Sequence, residues 1–252
     1  MCVDNKEKIR EIANKLSFFT IPIYFVNNQE SLSPGGILKN ATGVLIDTGK
    51  KHILVTCEHV WSAFEEERLV NKNLVLGFGR GNGERLVFIN PQLIDMDKDY
   101  DIAVFDFNFK DIFGKKAFYS SDYWPPSVPA VKDAVFLLGY PGQYRNADAT
   151  RLGIFSAIVG FADFVSSVSE RNIILADEKN VRELREFMEG YPAIWDLGGM
   201  SGGPVFVKRN NNYELIGIMR AADTGPHATI FVAPLYYISS DGTLDFSQRP
   251  QL

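Results

Sequence analysis

The feature that most constrains this chain is the recurrence of short apolar runs, each ended by turn residues. A first set reads "TIPIYFV", "TGVLIDT", "HILVT", "NLVLGFG", "RLVFIN" and "DIAVFDF"; a second reads "DAVFLLGYPG", "LGIFSAIVGF", "NIILAD", "GPVFVKR", "YELIGIM" and "TIFVAPL". Val, Ile, Phe and Tyr dominate them, the residues that suit a pleated, half-buried surface. Many short strands with turns between them predict an all-β chain built as closed barrels or a sandwich. The two sets are parted by "YSSDYWPPSVPAVKD", residues 119–133, whose prolines and serines suit a linker between two halves. Ahead of the strands, residues 5–16 put Ile9, Ile12, Ala13 and Leu16 on one face with Lys and Glu opposite, the pattern of a short amphipathic helix. Late in the chain "DEKNVRELREFMEG" reads as a helical or loop excursion.

Composition narrows the function classes. With 46% apolar and 23% charged residues over 252 positions, a folded domain with a real core is expected. A net charge of -5 argues against a nucleic-acid partner, which would call for a basic face. No run of about 18 apolar residues is present, so no membrane span is expected. The start, "MCVDNKEKIREIANKL", lacks the apolar centre of a secretory signal. Cys2 and Cys57 make no disulfide framework, which fits a reducing cytoplasm. No cluster has zinc-ligand spacing, and no metal or cofactor is expected. "GFGRGNG", residues 77–83, lacks the Lys-Ser/Thr ending of a phosphate loop and reads as a hairpin turn.

The chemistry gathers around "DLGGMSGGPVF", residues 196–206, where four glycines surround Ser201. A serine hydroxyl is a weak nucleophile. It needs a base, a group to orient that base, and donors for the oxyanion that forms. Glycines allow backbone shapes that aim successive N–H groups at one point. His59 follows the apolar run ending at Thr56, and Asp101 stands directly before "IAVF", where a carboxylate needs a hydrogen-bond partner. His52 and His227 have no comparable setting and read as surface residues.

"VTCEHV", "YDIAVF" and "GGMSGGPVF" occur in the order His, Asp, Ser. Together they resemble the trypsin-like (chymotrypsin-fold) serine peptidases. "FLLGYPG" is similar to a turn of the bacterial Deg-type members. The resemblance spans roughly residues 20–237. It implies two six-stranded antiparallel β-barrels, over residues 18–118 and 134–252, with the short helix in residues 1–17 outside them. It implies that Ser201 is the nucleophile, His59 the general base and Asp101 its orienting group, with the N–H groups of Gly199 and Ser201 as the oxyanion hole. It also implies a specificity pocket with Trp195 and Asp196 near its base and Arg220, Ala221 and Ala222 on the opposite wall.

Several positions depart from the family. Val60 stands where secreted members carry a cysteine after the histidine. Met200 stands where digestive members carry the acidic residue that a newly cut N-terminus pairs with, and no "IVGG"-like start is present. The zymogen switch is therefore not expected, and what orders the pocket instead is open. Deg-type proteins add a peptide-binding domain, for which the ~15 residues after "FVAPL" are too few. The leading expectation is a serine endopeptidase acting on a protein or peptide substrate, with a slight preference for a basic residue before the cut and a possible regulatory protein partner. The competing one is a pseudo-protease that uses the same fold as a binding module.

Overall fold

The computed structural model describes residues 11–27, 37–79, 82–107, 116–148, 153–156, 158–175, 197–210, 212–223 and 229–247. In the N-terminal half, β1 (Thr20–Asn27), β2 (Ile37–Asp47), β3 (His52–Thr56), β4 (Leu74–Phe78), β6 (Val87–Phe88), β7 (Gln92–Asp97) and β8 (Ile102–Asp106) form one curled sheet. Its order is β6-β4-β1-β2-β3-β8-β7, and β9 (Tyr119–Ser120) adds a parallel partner to β2. Bulges at Phe25/Val26 and Leu93/Asp95 bend it. Among the described residues this sheet stays open, a half-barrel.

The C-terminal half closes. β10 (Ala134–Gly139), β13 (Val159–Val168), β14 (Ile173–Leu175), β17 (Ile230–Pro234), β16 (Asn212–Ala222) and β15 (Pro204–Arg209) follow one another around a six-stranded barrel, and β15 pairs back to β10. Its strands show why the apolar runs are continuous rather than alternating. Successive side chains point to opposite faces. Val135, Leu137, Val205, Val207 and Val232 fill the barrel. Their neighbours Phe136, Leu138, Phe206 and Ala233 point outward into a larger core shared with the N-terminal sheet. Both faces are buried, so both must be apolar.

A third sheet, β11 (Arg145–Asp148), β12 (Gly153–Ser156) and β5 (Asn82–Arg85), runs in the order β11-β12-β5 and so ties the halves together. This alters the expectation for "GFGRGNG". β4 pairs with β6, while β5, which starts inside that motif, leaves to pair with β12.

The N-terminal helix is present over residues 11–16 (α1) and passes into a 3-10 turn at Ser17–Phe19. Its face is the expected one: Leu16 is buried, and Ile12 and Ala13 pack on the large core. The excursion expected over "DEKNVRELREFMEG" lies outside the described residues. A second helix, α2 (Glu58–Val70), was not expected from the strand-like pattern around it. Val60 and Phe64, four residues apart, are its buried apolar positions, with Glu58 also buried at its start, and Trp61 packs edge-on against Phe105 of β8.

Candidate active site

His59 sits in the first turn of α2, not at a strand end. β3 stops at Thr56, Cys57 is an extended N-cap whose side chain caps nothing, and the helix begins at Glu58. The first N–H groups of a helix have no partner within it. Asp101 supplies one, accepting the His59 backbone N–H at 3.0 Å through Oδ1. The same carboxylate meets His59 Nδ1 at 3.0 Å (Oδ1) and 2.9 Å (Oδ2). An ionised carboxylate only accepts, so Nδ1 is the donor of this pair, and in the neutral imidazole that tautomer leaves the lone pair on Nε2. Strand register brings the two together: β3 and β8 pair Thr56 with Ala103, so His59 and Asp101 leave the same end of adjacent strands. Asp101 has φ 58°, a left-handed conformation rare outside glycine, at the end of the turn that precedes β8. Its side chain is 9% exposed and that of His59 is 49% exposed, so the imidazole is open to a substrate while its partner is enclosed.

Ser201 lies in the turn that leads into β15, and this turn is fastened on three sides. The Ser201 carbonyl accepts the Thr42 N–H at 2.9 Å, and the Thr42 hydroxyl donates to the Gly199 carbonyl at 2.8 Å. The Gly198 carbonyl accepts the Gly142 N–H at 2.7 Å. The Gly202 N–H donates to the Met219 carbonyl at 2.8 Å. A trans peptide is planar, with C=O and N–H opposed. With the Gly198 carbonyl aimed at Gly142, the Gly199 N–H faces the other way. Among the described residues, neither the Gly199 nor the Ser201 N–H is given an acceptor. Three of the glycines are required by geometry: a Cβ on Gly203 would fall 2.2 Å from the Leu138 carbonyl oxygen. Gly199 has φ +92° and Gly202 φ +85°, and a Cβ on Gly202 would collide with the Thr42 carbonyl and Thr56 Oγ1. Met200 is fully buried in the barrel interior and lies against Gly139.

Ser201 and His59 are thus neighbours through their supports. Gly202 abuts Thr56, three residues before His59, and Thr56 Oγ1 donates to the Thr42 carbonyl at 2.8 Å. No hydrogen bond joins Ser201 Oγ to His59 among the described residues, and such contacts are commonly long before a substrate arrives. Beneath the pair, Cys57 is unpaired and buried, its Sγ directed at the Met219 carbonyl at 3.1 Å. Burial, and next the Asp101 charge, push its thiol well above the ordinary range. Cys57, His59 and Asp101 offer ligand atoms within 4.8 Å of one another, the donors a metal ion would need. Arg220 opposes a cation there, with Nε 3.8 Å from Asp101 Oδ2.

Arg220 therefore reaches Asp101, and its Nη1 also donates to Asn172 Oδ1 at 3.2 Å and the Asp99 carbonyl at 3.4 Å. Ala221 and Ala222 follow it on β16, paired with Phe231 and Ile230. Trp195, Asp196 and His227 lie outside the described residues. His52 is partly exposed, stacked on Phe118 at 4.1 Å and distant in role from this cluster. Sequence reasoning missed Thr42, whose hydroxyl and N–H secure the Ser201 turn; a threonine inside a strand gives no signal of that kind.

This architecture, a closed six-stranded barrel beside a curled half-barrel, with a hydrogen-bonded His-Asp pair on one and a glycine-framed serine on the other, is that of a trypsin-like peptidase. Residues 41–218 match the trypsin-like peptidase domain, and the chain belongs to that family. Among solved structures it is similar to a crystal structure of Deg5, at 15% identity and a TM-score of 0.56, over 95% of this chain and 98% of that one. No curated protein matches it in sequence.

Proposed function

We propose that the chain is a serine endopeptidase that cleaves peptide bonds in protein or peptide substrates, with Ser201, His59 and Asp101 as its triad. The observation that carries this reading is the engagement of His59 Nδ1 by both Asp101 oxygens, which leaves Nε2 as the base on the exposed side. His59 takes the Ser201 proton as Oγ attacks the carbonyl carbon, then gives it to the leaving amine; Asp101 stabilises the imidazolium without taking the proton. The N–H groups of Gly199 and Ser201 receive the oxyanion, and the outward pull of Gly142 on the Gly198 carbonyl supports that orientation. The buried, unpaired Cys57 suits work in a reducing compartment, which we take to be the cytoplasm.

The test is a fluorophosphonate probe with the modified residue mapped by mass spectrometry. Labelling at Ser201, lost in Ser201→Ala and in His59→Ala while both variants stay folded, is the expected result. A folded wild-type chain that resists the probe across pH and concentration overturns the reading in favour of a binding module of the same fold.

A further inference from the structure

Lys116 lies before β9 and outside the site itself. Its Nζ donates to three oxygens: the Ser17 carbonyl at 2.9 Å, the Thr20 carbonyl at 2.6 Å and the Tyr140 hydroxyl at 3.0 Å. The first lies in the turn that joins α1 to β1 and the second is the first residue of β1, and the Ala117 N–H adds a bond to the Phe18 carbonyl at 2.9 Å. The third, Tyr140, is 2% exposed. Its backbone is gripped on both sides. The Tyr140 N–H donates to Thr42 Oγ1 at 3.0 Å, and its carbonyl accepts Asn40 Nδ2 at 2.8 Å. The Thr42 hydroxyl in turn donates to the Gly199 carbonyl. Two residues after Tyr140, the Gly142 N–H holds the Gly198 carbonyl. Both fastenings of the 198–199 segment therefore depend on where Tyr140 sits, and its hydroxyl is held by the Lys116 ammonium at 3.0 Å and, more loosely, by donating to the Thr20 carbonyl at 3.4 Å.

We infer that Lys116 is a positioning residue for the oxyanion loop, through which the segment following α1 holds Tyr140, and with it the peptide groups of Gly198 and Gly199, in the orientation that leaves the Gly199 N–H free. The inference rests on the peptidase reading above. It also answers what orders the loop when Met200 replaces an acidic residue. An internal ammonium, bonded to neutral oxygens behind the loop, does so from the side of β1 and β10. A lysine suits this role because its three donors leave a point charge in different directions. Each bond to a cation is also stronger than one between neutral groups.

The test compares wild type with Lys116→Met, Tyr140→Phe and the double variant, using kcat, KM and the rate of fluorophosphonate labelling, and hydrogen exchange of the peptide covering residues 197–203. Val26→Ala, in a separate small apolar cluster, serves as a control for plain loss of stability. Lys116→Met and Tyr140→Phe are each expected to lower kcat and labelling about tenfold with KM changed less than twofold. The double variant should be no worse than the poorer single one, as for groups acting through one chain of contacts. Exchange at 197–203 should rise in both and stay at the wild-type level in the control. The inference is overturned if kcat and exchange of that peptide match wild type in a folded Tyr140→Phe, or if the two effects multiply. Tyr140→Phe keeps the ring in place, so a Lys116→Met chain that does not fold still leaves the inference open to refutation. A wild-type chain inert to the probe sinks the peptidase reading. Unchanged exchange in the variants of a reactive chain sinks this inference alone.

Discussion

Thr42→Val is the sharpest single test of how the Ser201 turn is held. Valine keeps the shape and the β-branched fit to β2, and it keeps the Thr42 N–H bond to the Ser201 carbonyl. It removes one hydroxyl, which at present donates to the Gly199 carbonyl at 2.8 Å and accepts the Tyr140 N–H at 3.0 Å. Thr42 is fully buried, so water does not replace these bonds without rearrangement. A buried polar group left without a partner costs about 1–3 kcal/mol. With two groups orphaned and some relaxation, a stability loss of about 2–4 kcal/mol is expected by the same reasoning. The loop can recover part of this only by turning the Gly199 carbonyl toward another donor, which moves the 199–200 peptide and disturbs the pocket. Loss of a single oxyanion donor costs roughly 10²–10³ in kcat in enzymes of this type, so kcat should fall toward that range while KM changes little. Urea denaturation and steady-state kinetics on the same preparations measure both quantities. Thr42→Ser, which retains the hydroxyl, should stay within about threefold of wild type in rate, about half of a tenfold step in barrier. A Thr42→Val chain with wild-type kcat and stability within about 0.5 kcal/mol, the scatter of an ordinary surface change, would refute the role assigned to this hydroxyl.

Other outcomes follow from the same geometry. Asp101→Asn should lower kcat by about 10⁴, because an amide can donate to Nδ1 and so select the tautomer with a proton on Nε2; rates within tenfold of wild type would contradict the pairing. Cys57 should resist iodoacetamide at pH 8 in the folded chain and react after denaturation, because burial keeps its thiol protonated. The Cys57 thiol and the buried Tyr140 hydroxyl are both raised, so the folded state binds more protons than the unfolded one above the ordinary thiol range. Their contribution to stability is full below about pH 8.5 and is lost as pH rises through the thiol and phenol ranges. A urea midpoint that climbs between pH 9 and 11 would contradict this. A peptide-library profile of wild type and Asp196→Ala should show preference for a basic residue before the cut that weakens in the variant; an unchanged acidic or aliphatic preference would remove Asp196 from the pocket.

The legible part of the molecule is the part set by strand chemistry. Apolar runs such as "AVFLLG" and "PVFV" are legible as strands, and the fold adds that both their faces are buried, one in the barrel and one in the shared core. His59 and Asp101 are legible because each is a polar residue next to the end of such a run, and antiparallel neighbours β3 and β8 bring those ends together. α2 is not. Its sequence follows β3 after one residue, its capping residue contributes no side-chain bond, and "HVWSAF" carries β-branched and aromatic residues that read equally well as strand. The fate of β5 is also hidden, because its partner β12 is some seventy positions away and nothing local distinguishes a hairpin arm from a strand that leaves. The reach of Arg220 to Asp101 depends on a side-chain direction at the β16 bulge between Met219 and Ala221, which sequence spacing does not define.

Met200 shows how one substitution relocates the ordering of a site. A carboxylate at this position would be buried in the interior filled by Val135, Leu137 and Val205, and would demand a cation from elsewhere in the fold. A methionine makes no such demand. Its flexible thioether fills the space beside Gly139 and anchors the middle of the loop by apolar contact alone. The polar fastening then falls to the loop's outer groups, the carbonyls of Gly198, Gly199 and Ser201, which find their donors on Gly142 and Thr42. Those donors belong to the framework and need no new chain end to be made. An acidic residue introduced as Met200→Asp should therefore weaken the fold without adding control. The buried charge would lack a partner, a loss of several kcal/mol, and the loop would lose its inner anchor while its outer bonds remained. Thermal unfolding together with probe labelling distinguishes the two contributions, and a Met200→Asp chain as stable and reactive as wild type would show that the apolar anchor carries none of the order assigned to it.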